Sequence, residues 1–350
     1  MELGQRIKQL RYKASLTQEQ LADILGLSPQ AVSKWENSVA MPDITLLPQI
    51  AEVFGISIDD LFGLTSEQKL HRIERRMDME DEIEGDIFRE YEAFLNEQIA
   101  KGDDRQRCLS LLAHLYHHRL EACAKRISRY AREAISEAPE KKDCQWLLQK
   151  AEGSVVWDWN AGNHHAVIDF YKSVIENDPI EPKTPLPYYY LIDNLLADHR
   201  TQEAADCLEQ LKTLPAHKPF LIPVYEAGIA LAEYDEEKAD GIMERAMQDY
   251  CDDGGFLFET AQYYARKCEY QSAIKYYELS YAADEENKPR YTDALQGIAM
   301  IYEILGDYQS AADTQRRILD ALKNEWGFTE ETVIADTERE IERLMKRTKE

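Results

Sequence analysis

The chain has 350 residues, 44% hydrophobic and 31% charged, with a formal net charge of −25. That size and apolar content predict two or three soluble domains with real cores. The sequence contains no run of 18 apolar residues, which argues against a membrane span, and its start, MELGQRIKQLRYK, lacks the apolar core and cleavage site of a secretory signal.

In chain order, Leu3, Ile7 and Leu10 fall at helical spacing, with Arg6, Lys8, Arg11 and Lys13 on the other faces. In SLTQEQLADILGLSPQAVSKWENS, Thr17 is a good N-cap with Gln20 three residues on, the spacing of a capping box. Leu21, Ala22, Ile24 and Leu25 form the apolar face of a short helix, and Gly26 ends it, free to turn left-handed. Ser28 caps the next helix, Pro29 takes its first position, and Val32 and Trp35 point inward. A further helix, capped at Asp43, buries Leu46, Leu47, Ile50, Ala51 and Phe54, and SIDDLFG makes a last short one.

Two short helices joined by Gly-Leu-Ser in a five-helix module resemble the helix-turn-helix of the XRE (lambda-repressor/Cro-like) family. The likeness covers residues 2–63. It rests on Thr17 through Ala22, Gly26, Ser28, Val32, Trp35-Glu36-Asn37, Pro42 and Leu61-Phe62. A recognition helix offers its N-terminal residues to base edges in the major groove. Gln30, Ser33 and Lys34 share one face, and Gln and Lys are suited to adenine and guanine edges. The resemblance implies that Gln18 and Asn37 clamp the DNA backbone; the basic Arg11 and Lys13 are expected as added phosphate contacts. The family often has Gly and a basic residue after Trp-Glu-Asn, whereas this chain has Ser38, Val39 and Ala40. A single module is therefore expected to bind weakly, and two modules to bind half-sites about one DNA turn apart.

Residues 64–105 are dense in charge, yet Leu70, Ile73, Met77, Ile83, Ile87, Tyr91, Phe94 and Leu95 keep a helical period. A hinge after Gly63 and helical structure broken near Gly85 are expected. The segment reads either as a dimerising or signal-transmitting connector or as a solvated helix joining domains.

From residue 106 onward, self-similarity emerges at periods in the thirties. In FETAQYYARKCEYQSAIKYYELSY, Ala261 is followed by Tyr264, Tyr270 and Ala273; in LQGIAMIYEILGDYQSAADTQRRIL, Ala299, Tyr302, Tyr308 and Ala311 keep the same offsets. A small residue lets two antiparallel helices approach, and the aromatic fills the gap beside it. Ala recurs at 204, 239, 273 and 311, and Pro139 and Pro179 mark repeat ends. The pattern resembles the tetratricopeptide repeat, with LGDYQSA (305–311) close to its inter-helix turn. About five or six repeats are expected over 106–325, followed by a closing helix over 329–347 capped by Thr329. The resemblance implies a superhelix whose first helices line a concave surface, which binds extended peptides in many relatives. By register, the lining residues are Tyr189, Asp193, Leu196, Tyr225, Ile229, Gln262, Arg266, Gln296 and Met300.

The six cysteines form no CxxC pair, which predicts free thiols in a reducing cytoplasm and no zinc. Neither His117-His118 nor His164-His165 has a ligand partner at metal spacing, so no metal is expected. Trp157 and Trp159 flank a repeat turn and are expected to pack. No phosphate-binding, nucleophile-elbow or zinc-protease motif is present, so neither a catalytic site nor a cofactor is expected.

The expected architecture is all-α: a DNA-binding module (1–63), a charged helical linker (64–105) and an α-solenoid of tetratricopeptide-like hairpins (106–350). The domain order resembles the peptide-pheromone-responsive transcriptional regulators of Gram-positive bacteria. That implies a cytoplasmic homodimer binding operator DNA and a short peptide. Two alternatives stay open: an array that serves only as a dimerisation scaffold, and a protein-binding adaptor with residual DNA binding. The acidity suits this division. Residues 1–63 carry five Lys or Arg against eight Asp or Glu, a net −3, leaving −22 for the remainder, which is poorly matched to a phosphate backbone.

Overall fold

The computed structural model describes residues 3–56, 58–139, 144–152, 164–179, 182–284 and 287–349. Trp157 and Trp159 lie outside the described residues. All regular structure among the described residues is helical, and the chain divides into two compact units, Met1–Arg129 and Tyr130–Glu350.

The first unit opens with α1 (Leu3–Lys13), α2 (Gln18–Leu25), α3 (Pro29–Glu36), a 3-10 turn (Ile44–Leu46), α4 (Leu47–Phe54) and α5 (Ile58–Phe62). Ile7, Leu21, Ala22, Val32, Trp35, Ile50 and Leu61 make a common core. The capping box at α2 is formed: the Gln20 amide donates to Thr17 Oγ1 at 3.1 Å and the Thr17 amide donates to Gln20 Oε1 at 2.8 Å. Ser28 occupies the N-cap of α3 without a side-chain cap bond. Asp43 caps the 3-10 turn through the Thr45 amide at 2.9 Å. Ile24, expected on the buried face of α2, is 56% exposed. The core reaches α2 from the side of Leu21, Ala22 and Leu25, and Ile24 lies beyond that arc.

Beyond the module run α6 (Ser66–Met79), α7 (Gly85–Lys101) and α8 (Arg105–Glu137). The segment expected as a charged linker has its own core. Leu70, Ile73, Ile83, Phe88, Tyr91 and Leu95 pack with Cys108, Leu111 and Leu115 of α8. The repeat expected to end at Pro139 is not a hairpin. α8 is one helix of 33 residues, and its sequence holds neither Gly nor Pro to break it.

The second unit comprises α9 (Gln145–Ala151), α10 (His165–Asn177), α11 (Leu186–Ala197), α12 (Thr201–Lys212), α13 (Leu221–Ala232), α14 (Glu236–Tyr250), α15 (Gly254–Arg266), α16 (Tyr270–Ala283), α17 (Asp293–Ile304), α18 (Tyr308–Asn324) and α19 (Thr332–Arg347). From α11 to α18 the helices pack as four successive hairpins. Ala204, Ala239, Ala273 and Ala311 are all fully buried on the second helix of their hairpins, as the close approach requires. The four turns share one device. His199, Tyr234, Cys268 and Gly306 adopt positive φ. The next amide, of Arg200, Asp235, Glu269 or Asp307, donates back to the carbonyl of Leu195, Ala230, Tyr264 or Tyr302 at 2.8–2.9 Å. This is the bonding of a left-handed helix C-cap. α19 starts later than expected: its N-cap is Glu331 rather than Thr329, and the Glu331 carboxylate accepts from the Thr329 and Glu330 amides.

Candidate nucleic-acid interface and concave groove

α2 and α3 are set at their angle by Gly26, whose φ of 68° suits glycine, and by the Leu27 amide, which donates to Ala22 O at 2.8 Å. α1 and α3 touch backbone to backbone. A Cβ on Gly4 would lie 1.8 Å from Trp35 O, so only glycine fits.

Behind α3 lies a polar lock. Arg11 Nε and Nη2 donate to the two oxygens of Glu36 at 2.5 and 2.8 Å, and Arg11 Nη1 donates to Leu16 O at 2.8 Å. Gln18 Nε2 donates to Glu36 Oε2 at 2.8 Å. Arg11 is 5% exposed and Glu36 fully buried. Burial pushes the Glu36 carboxyl up, but the hydrogen bonds from Arg11 and Gln18 outweigh it and hold it below its ordinary value. The Glu36 hydrogen bond raises Arg11 in turn.

Arg11 is therefore not a phosphate contact. It lies four residues beyond Ile7 on the face of α1 that packs against α3, and its charge is spent internally. Gln18 is half-buried and gives an amide hydrogen to Glu36. With Val32, Trp35 and Glu36 turned inward, α3 shows Gln30 and Lys34 to solvent, with Ser33 half-buried between them. Asn37 is exposed and its amide donates to Ser33 O at 2.8 Å, which closes the end of α3. Lys13 is exposed. Past α3, where a basic residue is absent, Val39 is 71% exposed.

Helix-turn-helix describes the family model that matches residues 7–61. Those residues form an XRE-type helix-turn-helix domain. Over 63 residues the chain is 41% identical to the HTH-type transcriptional activator BcrR of Enterococcus faecalis, covering 18% of this chain and 31% of that protein. Over 116 residues it is 30% identical to the antitoxin PezA of Streptococcus pneumoniae serotype 4, covering 33% of this chain and 60% of that protein. The chain thus spans from about a third to three-fifths of these curated relatives. The crystal structure of Bacillus thuringiensis PlcR with the peptide PapR7 and DNA aligns over 89% of this chain and 98% of that chain. That alignment has 15% identity and a TM-score of 0.25.

In the second unit, the first helices of three successive hairpins enclose a groove of about 820 Å³. α11 supplies Tyr189, Tyr190, Asp193 and Leu196, α13 supplies Val224, Tyr225, Gly228 and Leu231, and α15 supplies Glu259, Gln262 and Arg266. A Cβ on Gly228 would press on Leu196 at 3.3 Å, so the glycine keeps α11 and α13 close at the groove floor. The rings of Tyr189 and Tyr225 stack at 6.2 Å and 15°. The Tyr189 hydroxyl accepts from the Lys218 amide at 2.8 Å. Six of the nine residues assigned by register meet here: Tyr189, Asp193, Leu196, Tyr225, Gln262 and Arg266.

The other three do not. Ile229 is 8% exposed and packs in the core, because one position past Gly228 the helix faces inward. Gln296 lines a separate depression with Gln315 and Arg343, and Met300 is 65% exposed outside both, since the groove wall ends with α15. Register alone also missed Glu259. It sits three residues before Gln262, so the same helical spacing would have found it.

Burial pushes Asp193 and Glu259 above the ordinary carboxylate range, partly offset by Arg266. Solvent reaches Asp193, but the concave wall around it removes enough water to shift it. Burial likewise raises the Tyr225 hydroxyl, and the nearby Asp193 charge adds to the shift. Lys267, at the rim, is neutralised by Glu236, Asp240 and Glu269. The six cysteines are unpaired. His164 Nδ1 sits 2.6 Å from Asp198, and His118 Nε2 lies 2.7 Å from Glu80 O. No described helix is long and apolar enough to cross a membrane.

Proposed function

We propose that the protein is a sequence-specific DNA-binding transcriptional regulator that acts as a homodimer and senses a short peptide in the groove of its helical array. The observation that carries the DNA reading is the division of α3. Val32, Trp35 and Glu36 are locked inward, which leaves Gln30, Ser33 and Lys34 on the outer face. Gln30 is placed to pair with adenine and Lys34 to reach guanine acceptors, while Gln18, Asn37 and Lys13 serve the phosphates. With Arg11 consumed by Glu36 and no basic residue at Ser38 to Ala40, one domain has few phosphate contacts. Affinity then depends on two domains set at half-sites about 34 Å apart. A peptide that favours one spacing of the domains is thereby coupled to DNA binding.

Selection of the full chain against a pool of random DNA duplexes tests this. A two-fold-related sequence motif should emerge, and Gln30→Ala with Lys34→Ala should abolish its enrichment. A flat pool after repeated rounds refutes the DNA reading. An unchanged motif in the double variant refutes the residue assignment.

A further inference from the structure

Charges in the groove are unbalanced in a way that specifies a ligand. Among the described residues, neither Asp193 nor Glu259 has a cation within ion-pair distance, and Arg266 makes no direct ion pair. Lys267 cannot supply the missing charge, because three carboxylates of its own surround it and it is 10% exposed. Among the described residues, Arg266 is thus the one unpaired cation lining the wall against two carboxylates, Glu259 half-buried and Asp193 open to solvent, with Lys218 acting on Glu259 only from outside the lining. Asp193 lies within electrostatic reach of the Tyr225 hydroxyl, and each is near Glu259. Beside them, Tyr189 and Tyr225 form a stacked pair, held at one end by the Lys218 amide. Carboxylates next to aromatic faces are what a cation needs in a partly dry site. A half-buried carboxylate such as Glu259 without an ion-pair partner is costly to hold, and a ligand that brings the opposite charge relieves that cost.

Resting on the peptide reading above, we propose that the peptide presents a cationic group, either its free amino terminus or a Lys or Arg side chain, to Asp193 and Glu259 against the Tyr189–Tyr225 stack. Arg266 opposes this cation and is a negative determinant at the same site. The two carboxylates and the arginine therefore affect affinity with opposite signs, which a purely structural role would not produce.

The test uses the full-length protein and a library of random heptapeptides, half with free amino termini and half N-acetylated. Retained peptides are identified by mass spectrometry. Retained sequences should be enriched in Lys or Arg, or confined to the free-amine half, and the two halves tell the sources apart. Glu259→Gln and Asp193→Asn, close in shape to the native side chains, should each weaken retention about tenfold, while Arg266→Ala should retain the same peptides at least as well. Without peptide, Glu259→Gln should melt no lower than the native chain, which excludes misfolding as the cause of lost retention. Retention with no preference for a cationic group, or retention unmoved by the carboxylate variants, overturns this proposal and leaves the peptide reading standing. Retention of no heptapeptide in either half overturns the peptide reading together with it.

Discussion

Replacing Arg11 by Met tests how the recognition helix is held. The native guanidinium makes two bonds to Glu36, at 2.5 and 2.8 Å, and one to Leu16 O at 2.8 Å. The variant leaves a fully buried carboxylate with the Gln18 amide as its remaining hydrogen-bond donor. Breaking one side of such a pair costs about 3–5 kcal/mol, a large share of the roughly 5–15 kcal/mol that holds a whole domain. Combining Arg11→Met with Glu36→Leu removes both charges and should recover most of the loss, because the pair's own attraction mainly offsets the cost of burying it. Hydrogen exchange of the full chain, followed in peptides covering α3, is the assay. Protection should fall about a hundredfold or more in the single variant and return largely in the double. The sign with pH follows from the lowered Glu36 value. Its contribution is complete above the ordinary carboxylate range and is lost as pH falls through the depressed value, so native protection of α3 should decay in acid while the double variant's should not. A single variant as protected as the native chain, or a double variant no better than the single, would refute this account of the lock.

Gly4→Ala should destabilise the first unit by about 2 kcal/mol or more, since the new methyl meets the Trp35 carbonyl rather than a movable side chain; a thermal melt with an unshifted first transition would contradict it. Thr17→Ala removes the cap of α2 and should cost about 1 kcal/mol, read in the same melt, while Gln20→Ala should cost less because the Thr17 hydroxyl still accepts from the residue 20 amide. Gln30→Ala and Lys34→Ala should each lose about 1–3 kcal/mol of preference for the selected DNA motif with no loss of fold, measured by competition binding. Glu325, held near 2 by Arg290, contributes stability that is complete above its unfolded value and lost as pH falls toward 2. The indole proton of Trp326, bonded to Arg290 O at 2.8 Å, should report that loss by NMR, and Glu325→Gln should abolish the acid dependence.

Local patterns made much of this molecule legible. The turn of the DNA-binding domain is written in Thr17, Gln20 and Gly26, because capping and left-handed geometry depend on a few adjacent atoms. Residues 64–105 are dense in charge, yet the eight apolar residues that keep their helical period all belong to the cluster that α6, α7 and α8 build. The hairpins were legible from Ala204, Ala239, Ala273 and Ala311, since only a small side chain fits so close a helix contact. Their turns were legible just once, at Gly306. The equivalent positions hold His199, Tyr234 and Cys268, which take the same positive φ against their own preference because the packed helices on either side leave the chain no other route.

The sequence by itself determined that the chain is helical, where α2 is capped and ended, and where the small residues of the hairpins fall. Those properties depend on residues within a turn or two of each other. Tertiary structure alone decided that Arg11 serves Glu36 rather than phosphate, that Ile229 belongs to the core, and that Glu259 joins Asp193 and Arg266 around one groove. Each outcome is a charge or a face acquiring a partner from another helix, and helical spacing along one segment carries no information about which segment will stand opposite it.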